Sequence, residues 1–200
     1  HAAILEIVEA LSDECVRRSI AITAGDTAIH NNIEGLEISI TVNGFVRNKK
    51  PNMPQAGDVL VGFRSAGLHS NGFDKVREIF GDEYSRKEFT EPTRLYMDEI
   101  ARLDGMFDIH AMWHLTGGAY TRLRIPYRDV FIVNHDLRPH EVFYELYKRG
   151  MPRSQITDKQ MYKTFNCGVG FVVAVSSEDA KKLASESRID AVPIGHIMHG

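Results

Sequence analysis

With 200 residues, 43% of them hydrophobic and 26% charged, the chain is long enough for one large domain, or a domain and part of another, around a buried core. A net charge of -3 and no basic run longer than Lys49-Lys50 exclude a general nucleic-acid binder, and no apolar stretch approaches the ~20 residues of a membrane-spanning helix. Cys15 and Cys167 are too few and too far apart for a disulfide framework, and no basic-then-apolar signal pattern opens the chain, so a reducing cytoplasmic compartment is expected.

In chain order, Ile4, Ile7, Val8, Leu11 and Cys15 recur at helical spacing over residues 2–17, with acidic residues elsewhere, the pattern of an amphipathic helix with a buried stripe. The chain starts at His1, almost directly in that helix, and the expectation is a fragment. Residues 19–23 fit a short strand running into Ala24-Gly25-Asp26-Thr27-Ala28; Leu36, Ile38, Ile40 and Val42 then alternate with polar residues as a half-buried strand does. A helix and two strands cannot close a core, so residues 1–46 are expected to be the tail of a domain. Residues 47–56, RNKKPNMPQA, hold two prolines and three basic residues and read as a linker to a second domain over 57–200.

Residues 57–73, GDVLVGFRSAGLHSNGF, organise that domain. Val59, Leu60, Val61 and Phe63 predict a strand, and Phe73, Val76, Ile79 and Phe80 share one face of a predicted helix. Between them His69 sits among glycines, serines and an asparagine. Gly67 and Gly72 permit a tight turn or a close approach to a ligand, and the N-H groups opening the helix can receive an anion. An ordinary strand-to-helix turn explains this stretch alone equally well. Residues 114–120, HLTGGAY, repeat the design with His114, Thr116, Gly117 and Gly118 ahead of an expected helix, so the two loops together predict one polar-ligand site.

Further on, Glu91-Pro92 starts a predicted helix with Leu95, Ile100 and Leu103 facing inward. Residues 130–133 predict a strand, 139–149 a helix stopped by Gly150, and Thr157-x-x-Gln160 a capping box. Residues 168–175, GVGFVVAV, have the composition of a fully buried strand; 178–186 predict a helix and 191–198 a final strand. The class is α/β or α+β with one main sheet.

No P-loop is present, and the Gly168-x-Gly170 pair opens a strand instead of following one, so no dinucleotide fingerprint is supported. Ser65 and Ser70 each fall in G-x-x-S-x-G, one residue off the spacing of a nucleophile elbow. His110 and His114 form H-x-x-x-H, but Ala111 stands where a zinc helix needs glutamate, and the segment reads as easily as a strand. Asp26, between Gly25 and Thr27, suits Mg²⁺ bridging to a phosphate; taken alone it fits a turn better. His69 can donate to a phosphate or a substrate carbonyl, or tie its loop together. Thr164 and Asn166 enter a buried strand and are expected to bond backbone, a ligand contact being the alternative.

AGDTA at 24–28, the 57–73 stretch, EPTRLY at 91–96, HLTGG at 114–118, MYKTFNCGVGFVVAV at 161–175 and IGHI at 194–197 together resemble aminoimidazole ribonucleotide synthetase, or phosphoribosylformylglycinamidine cyclo-ligase. They stand in that family's order and at nearly its spacing across almost the whole chain. The resemblance implies a C-terminal domain of that type at 57–200, a mixed sheet flanked by helices, preceded by the tail of an ATP-binding α/β domain. It implies ATP- and Mg²⁺-dependent ring closure in purine biosynthesis: the amide oxygen of formylglycinamidine ribonucleotide becomes an iminophosphate, the amidine nitrogen attacks, and phosphate leaves. By the same resemblance His69 would be catalytic and Asp26 would hold the metal. Gly25, Thr27, Ser70, Asn71, Gly72, His114, Thr116, Gly117, Gly118 and Asn166 would bind substrate or ATP. A cytoplasmic homodimer is also implied, with residues 36–46 bordering its interface.

Two departures qualify that expectation. Asp26 replaces the family's longer glutamate, and the family's N-terminal nucleotide loop, catalytic lysine and magnesium-binding aspartates have no counterpart here, so the chain alone is expected to be inactive. The alternatives are another ATP-dependent enzyme of the superfamily, of the formylglycinamidine ribonucleotide synthetase or selenophosphate synthetase type, and a non-catalytic partner subunit.

Overall fold

The computed structural model describes residues 2–32, 35–45, 52–123, 128–132, 137–151 and 156–199, which fall into two units, His1–Arg47 and Asn48–Gly200. In the first unit the expected helix forms as α1 (Ala2–Arg17), with Glu14 paired to Arg17 and Arg18. The expected buried stripe does not: no residue of α1 is buried. Residues 19–23 and 36–45 carry no regular secondary structure, and Leu36, Ile38, Ile40 and Val42 are all more than half exposed, which corrects the two strands expected there. Alternation supplies an apolar face, but a strand also needs a neighbour for its N-H and C=O groups, and none pairs with these segments among the described residues. Val46 and residues 47–51 of the expected linker lie outside the described residues.

The second unit is built on β1 (Val59–Arg64), β2 (Ala111–His114), β3 (Arg128–Ile132), β4 (Val169–Val175) and β5 (Ala191–His199) in the order β2-β4-β1-β5-β3. Every pairing is antiparallel, where a mixed sheet was expected; α/β alternation in sequence does not here produce parallel crossovers, because strands adjacent in the sheet are not successive in the chain. The β3 range covers the predicted strand except Val133, which lies outside the described residues. The segment before β1 runs beside β2: Asn52 exchanges two 2.8 Å hydrogen bonds with the Met112 backbone, and Met53 N-H donates to His110 O at 3.0 Å.

Central strands β1 and β4 are buried on both faces. Val61, Phe63, Val173 and Val175 face α4 (Met97–Asp104) and α7 (Ala180–Glu186), meeting Ile100, Leu103 and Leu183. Their neighbours Leu60, Val172 and Ala174 face the other way, onto Leu115, Leu123 and Leu137. A third cluster joins α2 (Phe73–Phe80), α3 (Lys87–Thr90), α5 (Glu141–Gly150) and α6 (Asp158–Thr164) through Val76, Phe80, Phe89, Phe143, Leu146 and Phe165.

Three helix boundaries differ from expectation. The helix after Pro92 starts at Met97, so Leu95 is exposed and Tyr96, one residue on, is buried. Gly150 belongs to α5 instead of ending it, and it is glycine where Ile156 occupies the space a side chain would need. Beyond HLTGG the chain makes only a 3-10 turn, Ala119–Leu123. The Thr157 capping box forms in full: Thr157 Oγ1 accepts from Gln160 N-H, and Gln160 Oε1 accepts from Thr157 N-H at 2.7 Å.

Candidate functional site

The antiparallel order decides where the loops go. Arg64 at the end of β1 is opposite Val169 at the start of β4, and His114 at the end of β2 is opposite Phe171. The loops 65–72, 115–118 and 166–168 therefore emerge at one end of the sheet. Each turns through two consecutive left-handed residues, His69-Ser70, Gly118-Ala119 and Cys167-Gly168, of which four carry side chains that disfavour this conformation at about 1–3 kcal/mol each.

At the meeting point His69, Tyr96, His114 and Phe171 form a ring cluster, with centroids 6.1 Å apart for His69–His114, 6.0 Å for His69–Tyr96 and 5.3 Å for Tyr96–Phe171. Gly170 makes this possible: a methyl group there would collide with Tyr96 Oη and sit 2.5 Å from His69 Cε1. Tyr96 is fixed by donating its hydroxyl to Arg64 O at 2.8 Å. The two loops also touch through Asn71, whose Oδ1 lies 3.6 Å from where a Gly117 side chain would begin.

His69 is buried and its ring is held by backbone. Nε2 accepts from Ala66 N-H at 2.9 Å and, more weakly, from Arg94 N-H at 3.4 Å, so the lone pair lies on Nε2 and the proton on Nδ1. Burial, with His114, Arg94 and His140 nearby, holds its pKa down to about 4, so the ring is neutral at physiological pH. Among the described residues the buried Nδ1-H has no partner. His69 is thus arranged as a hydrogen-bond donor, since its one basic nitrogen is already in use. His114, exposed at the end of β2, also has its pKa lowered, by partial desolvation.

Of the residues expected to form the site, the structure brings together His69, Asn71, His114 and Gly117. Ser70 is exposed beside them; Thr116, Gly117 and Gly118 turn the second loop, with their carbonyls accepting from Ala119 N-H, Arg122 Nε-H and the Thr121 hydroxyl. Gly72 has φ 73° and is covered by Phe165. Asn166 is a buried brace: Nδ2 donates to Gly67 O at 2.8 Å and Oδ1 accepts from Gly168 N-H at 2.9 Å. Gly25, Asp26 and Thr27 belong to the first unit, where they are exposed and Asp26 Oδ1 accepts from Thr27 N-H at 2.9 Å. A single open carboxylate fits a magnesium ion that keeps water and phosphate oxygens as its other ligands. Among the described residues no three His, Cys, Asp or Glu side chains gather as a metal cage. His110 is paired with buried Asp58 at 2.9 Å, which removes it from any pair with His114.

Sequence reasoning missed Tyr96, Phe171 and Gly170 as site-building residues. Gly168-x-Gly170 carried the signal, though it supports no dinucleotide fingerprint; Gly170 lets two rings approach β4.

Residues 55–200 match the family model described as AIR synthase related protein, C-terminal domain. Curated relatives include the phosphoribosylformylglycinamidine cyclo-ligases of Methanocaldococcus jannaschii, 30% identical over 96% of this chain and 61% of the relative, and of Thermoplasma volcanium, 32% identical over 91% and 58%. That of Methanobrevibacter smithii is 33% identical over 89% of this chain and 57% of its own. The chain spans about three fifths of the length of these relatives.

Proposed function

The chain belongs to the AIR synthase related family by its C-terminal domain, residues 55–200, and on that premise we propose that it acts in the ATP-dependent closure of formylglycinamidine ribonucleotide to aminoimidazole ribonucleotide. The observation that carries this reading is the meeting of the two glycine-rich loops, with His69 and His114 rings 6.1 Å apart and Asn71 against Gly117. Ring closure needs an extended substrate bent so that its amidine nitrogen reaches the activated amide carbon, and a preorganised donor where charge grows on the amide oxygen. Neutral His69, whose buried Nδ1-H has no partner among the described residues, is the donor this reading assigns. His114 packs its ring beside it and Asn71 donates to the His69 carbonyl, while Asn166 and Gly72 hold the loop's shape.

ATP with Mg²⁺ would supply the phosphoryl group that makes the amide oxygen a leaving group. Asp26 would give that ion one carboxylate, with Gly25 and Thr27 shaping its loop. A homodimer in the cytoplasm completes the reading. It is tested by ADP release from the protein expressed from its complete reading frame, offered formylglycinamidine ribonucleotide, formylglycinamide ribonucleotide with glutamine, or selenide. Turnover with the first alone is expected, and its loss by roughly 10²-fold or more in His69→Asn is the size of effect for one removed transition-state donor. Preference for either other acceptor would move the chain to a different branch of the superfamily.

A further inference from the structure

Between α5 and α6 lies a cavity that the cyclo-ligase reading does not use. It measures about 310 Å³, at the small end of the range for sites that hold a small molecule. α5 gives it Phe143, Tyr144 and Tyr147, and α6 gives it Asp158, Met161 and Tyr162. Cys167 also lines it and belongs to the 166–168 loop, which sets the cavity against one of the three loops of the candidate site. The charge of the lining is as informative as its size. Burial pushes the Cys167 thiol up to about 12, so it stays protonated at neutral pH. Hydrogen bonding to Asp158 raises the pKa of Tyr147, and desolvation, followed by Cys167, Asp158 and Tyr144, raises that of Tyr162, so both phenols stay neutral. No lysine, arginine or histidine is among the lining residues, which leaves the Asp158 carboxylate as the one charge. Asp158 is exposed and has no ion pair among the described residues. It is not needed as a helix cap either, because Thr157 and Gln160 already close the start of α6.

We propose that this cavity binds a small free molecule bearing an N-methylated ammonium group, with Tyr144, Tyr147 and Tyr162 as its aromatic contacts and Asp158 as its counter-charge. Three tyrosines and one carboxylate attract a cation by charge and by the ring quadrupoles, and repel a phosphate. ATP and the ribonucleotide substrate both carry phosphate, so neither fits this lining. A primary ammonium would need several hydrogen-bond acceptors to replace its water, whereas a methylated one presents carbon to the rings, Met161 and Phe143, and asks only for contact and charge. The proposal does not depend on the cyclo-ligase reading: the cavity takes its ligand whether or not the chain closes an imidazole ring.

The test is NMR of the full chain with ring-labelled tyrosine, titrated with choline, with its uncharged isostere 3,3-dimethylbutan-1-ol and with adenosine. Choline should shift the Tyr147 and Tyr162 signals saturably and leave Tyr84, on another part of the unit, unmoved. The uncharged isostere should bind about fivefold more weakly or less, the size of effect for a cation against aromatic rings at a partly exposed site. Asp158→Asn keeps the shape of the side chain and should weaken choline about fivefold while leaving the isostere as it was. Tyr144→Leu, a change at a half-exposed ring, should weaken choline and spare the fold. No saturable shift with choline overturns the site. Equal affinity for choline and its isostere, or the parent's affinity for choline in a folded Asp158→Asn, overturns the role of charge and with it the class of ligand. Tighter binding of adenosine than of choline overturns the class as well, in favour of a flat uncharged base. Turnover with formylglycinamidine ribonucleotide is measured separately, so either reading can fail while the other stands.

Discussion

Two apolar stretches with strand-like patterns in this chain end differently. Leu36, Ile38, Ile40 and Val42 of the first unit remain 54–74% exposed, whereas Leu60, Val61 and Phe63 of β1 are fully buried. The sequences differ little in hydrophobic content. What differs is that β1 has β4 on one side and β5 on the other, and cover on both faces. Period-2 patterning tells which residues would share a face; burial comes only from the element that meets it. The sharpest way to break the comparison is to truncate one residue in each place. Phe63→Ala should cost about 3–5 kcal/mol in urea unfolding, the usual range for a buried phenylalanine, and Ile38→Ala no more than about 0.5. Equal losses would mean that the first unit buries what it here leaves open.

Next in size is a titration. His69 has a folded pKa near 4 against 6.5 for the free side chain, so below pH 6.5 the unfolded chain takes up a proton that the folded chain refuses. Its share of stability is therefore full above pH 6.5 and falls as pH drops toward 4, by roughly 3 kcal/mol in all. His69→Gln should remove that slope, and a variant with the parent's pH dependence would show that the ring is not held neutral by its surroundings.

The site offers the same contrast on a smaller scale. Gly170→Ala places a methyl group against Tyr96 Oη and His69 Cε1, and should cost about 1–3 kcal/mol while displacing the His69 NMR signal. Gly25→Ala in the first unit meets nothing within 4 Å and should leave unfolding unchanged within about 0.5 kcal/mol. If both glycines tolerate alanine alike, close ring packing is not why Gly170 is glycine.

Much of the second unit could be read in advance because its signals are local. The capping box at Thr157, the β1-to-α2 loop and the helical faces of α2 and α7 need only short-range spacing. Strand pairing was not legible, since nothing in residues 111–114 says that His114 will stand opposite Phe171. For that reason the two histidine loops could be matched by likeness, but the aromatic partners between them, and Arg94, could not. Leu95 and Tyr96 make the point in two residues: both suit a buried helix face, and only the late start of α4 sends one outward and the other into the site.

Asp26 carries the smallest expected effect on folding and the most information about chemistry. Its carboxylate is exposed and its hydrogen bond to Thr27 N-H would survive as an amide bond in Asp26→Asn, so stability should change by less than about 0.5 kcal/mol. A magnesium ion bridging to phosphate responds differently, because it needs the anionic charge that asparagine removes. Mg²⁺ titration in the presence of ATP should then weaken about tenfold in Asp26→Asn and be retained in Asp26→Glu, which lengthens the side chain by one methylene but keeps the charge. A metal response lost in both would put geometry ahead of charge and tie the ion closely to this loop's backbone. A response unchanged in both would leave Asp26 as what its bond to Thr27 already makes it, a residue that shapes a turn.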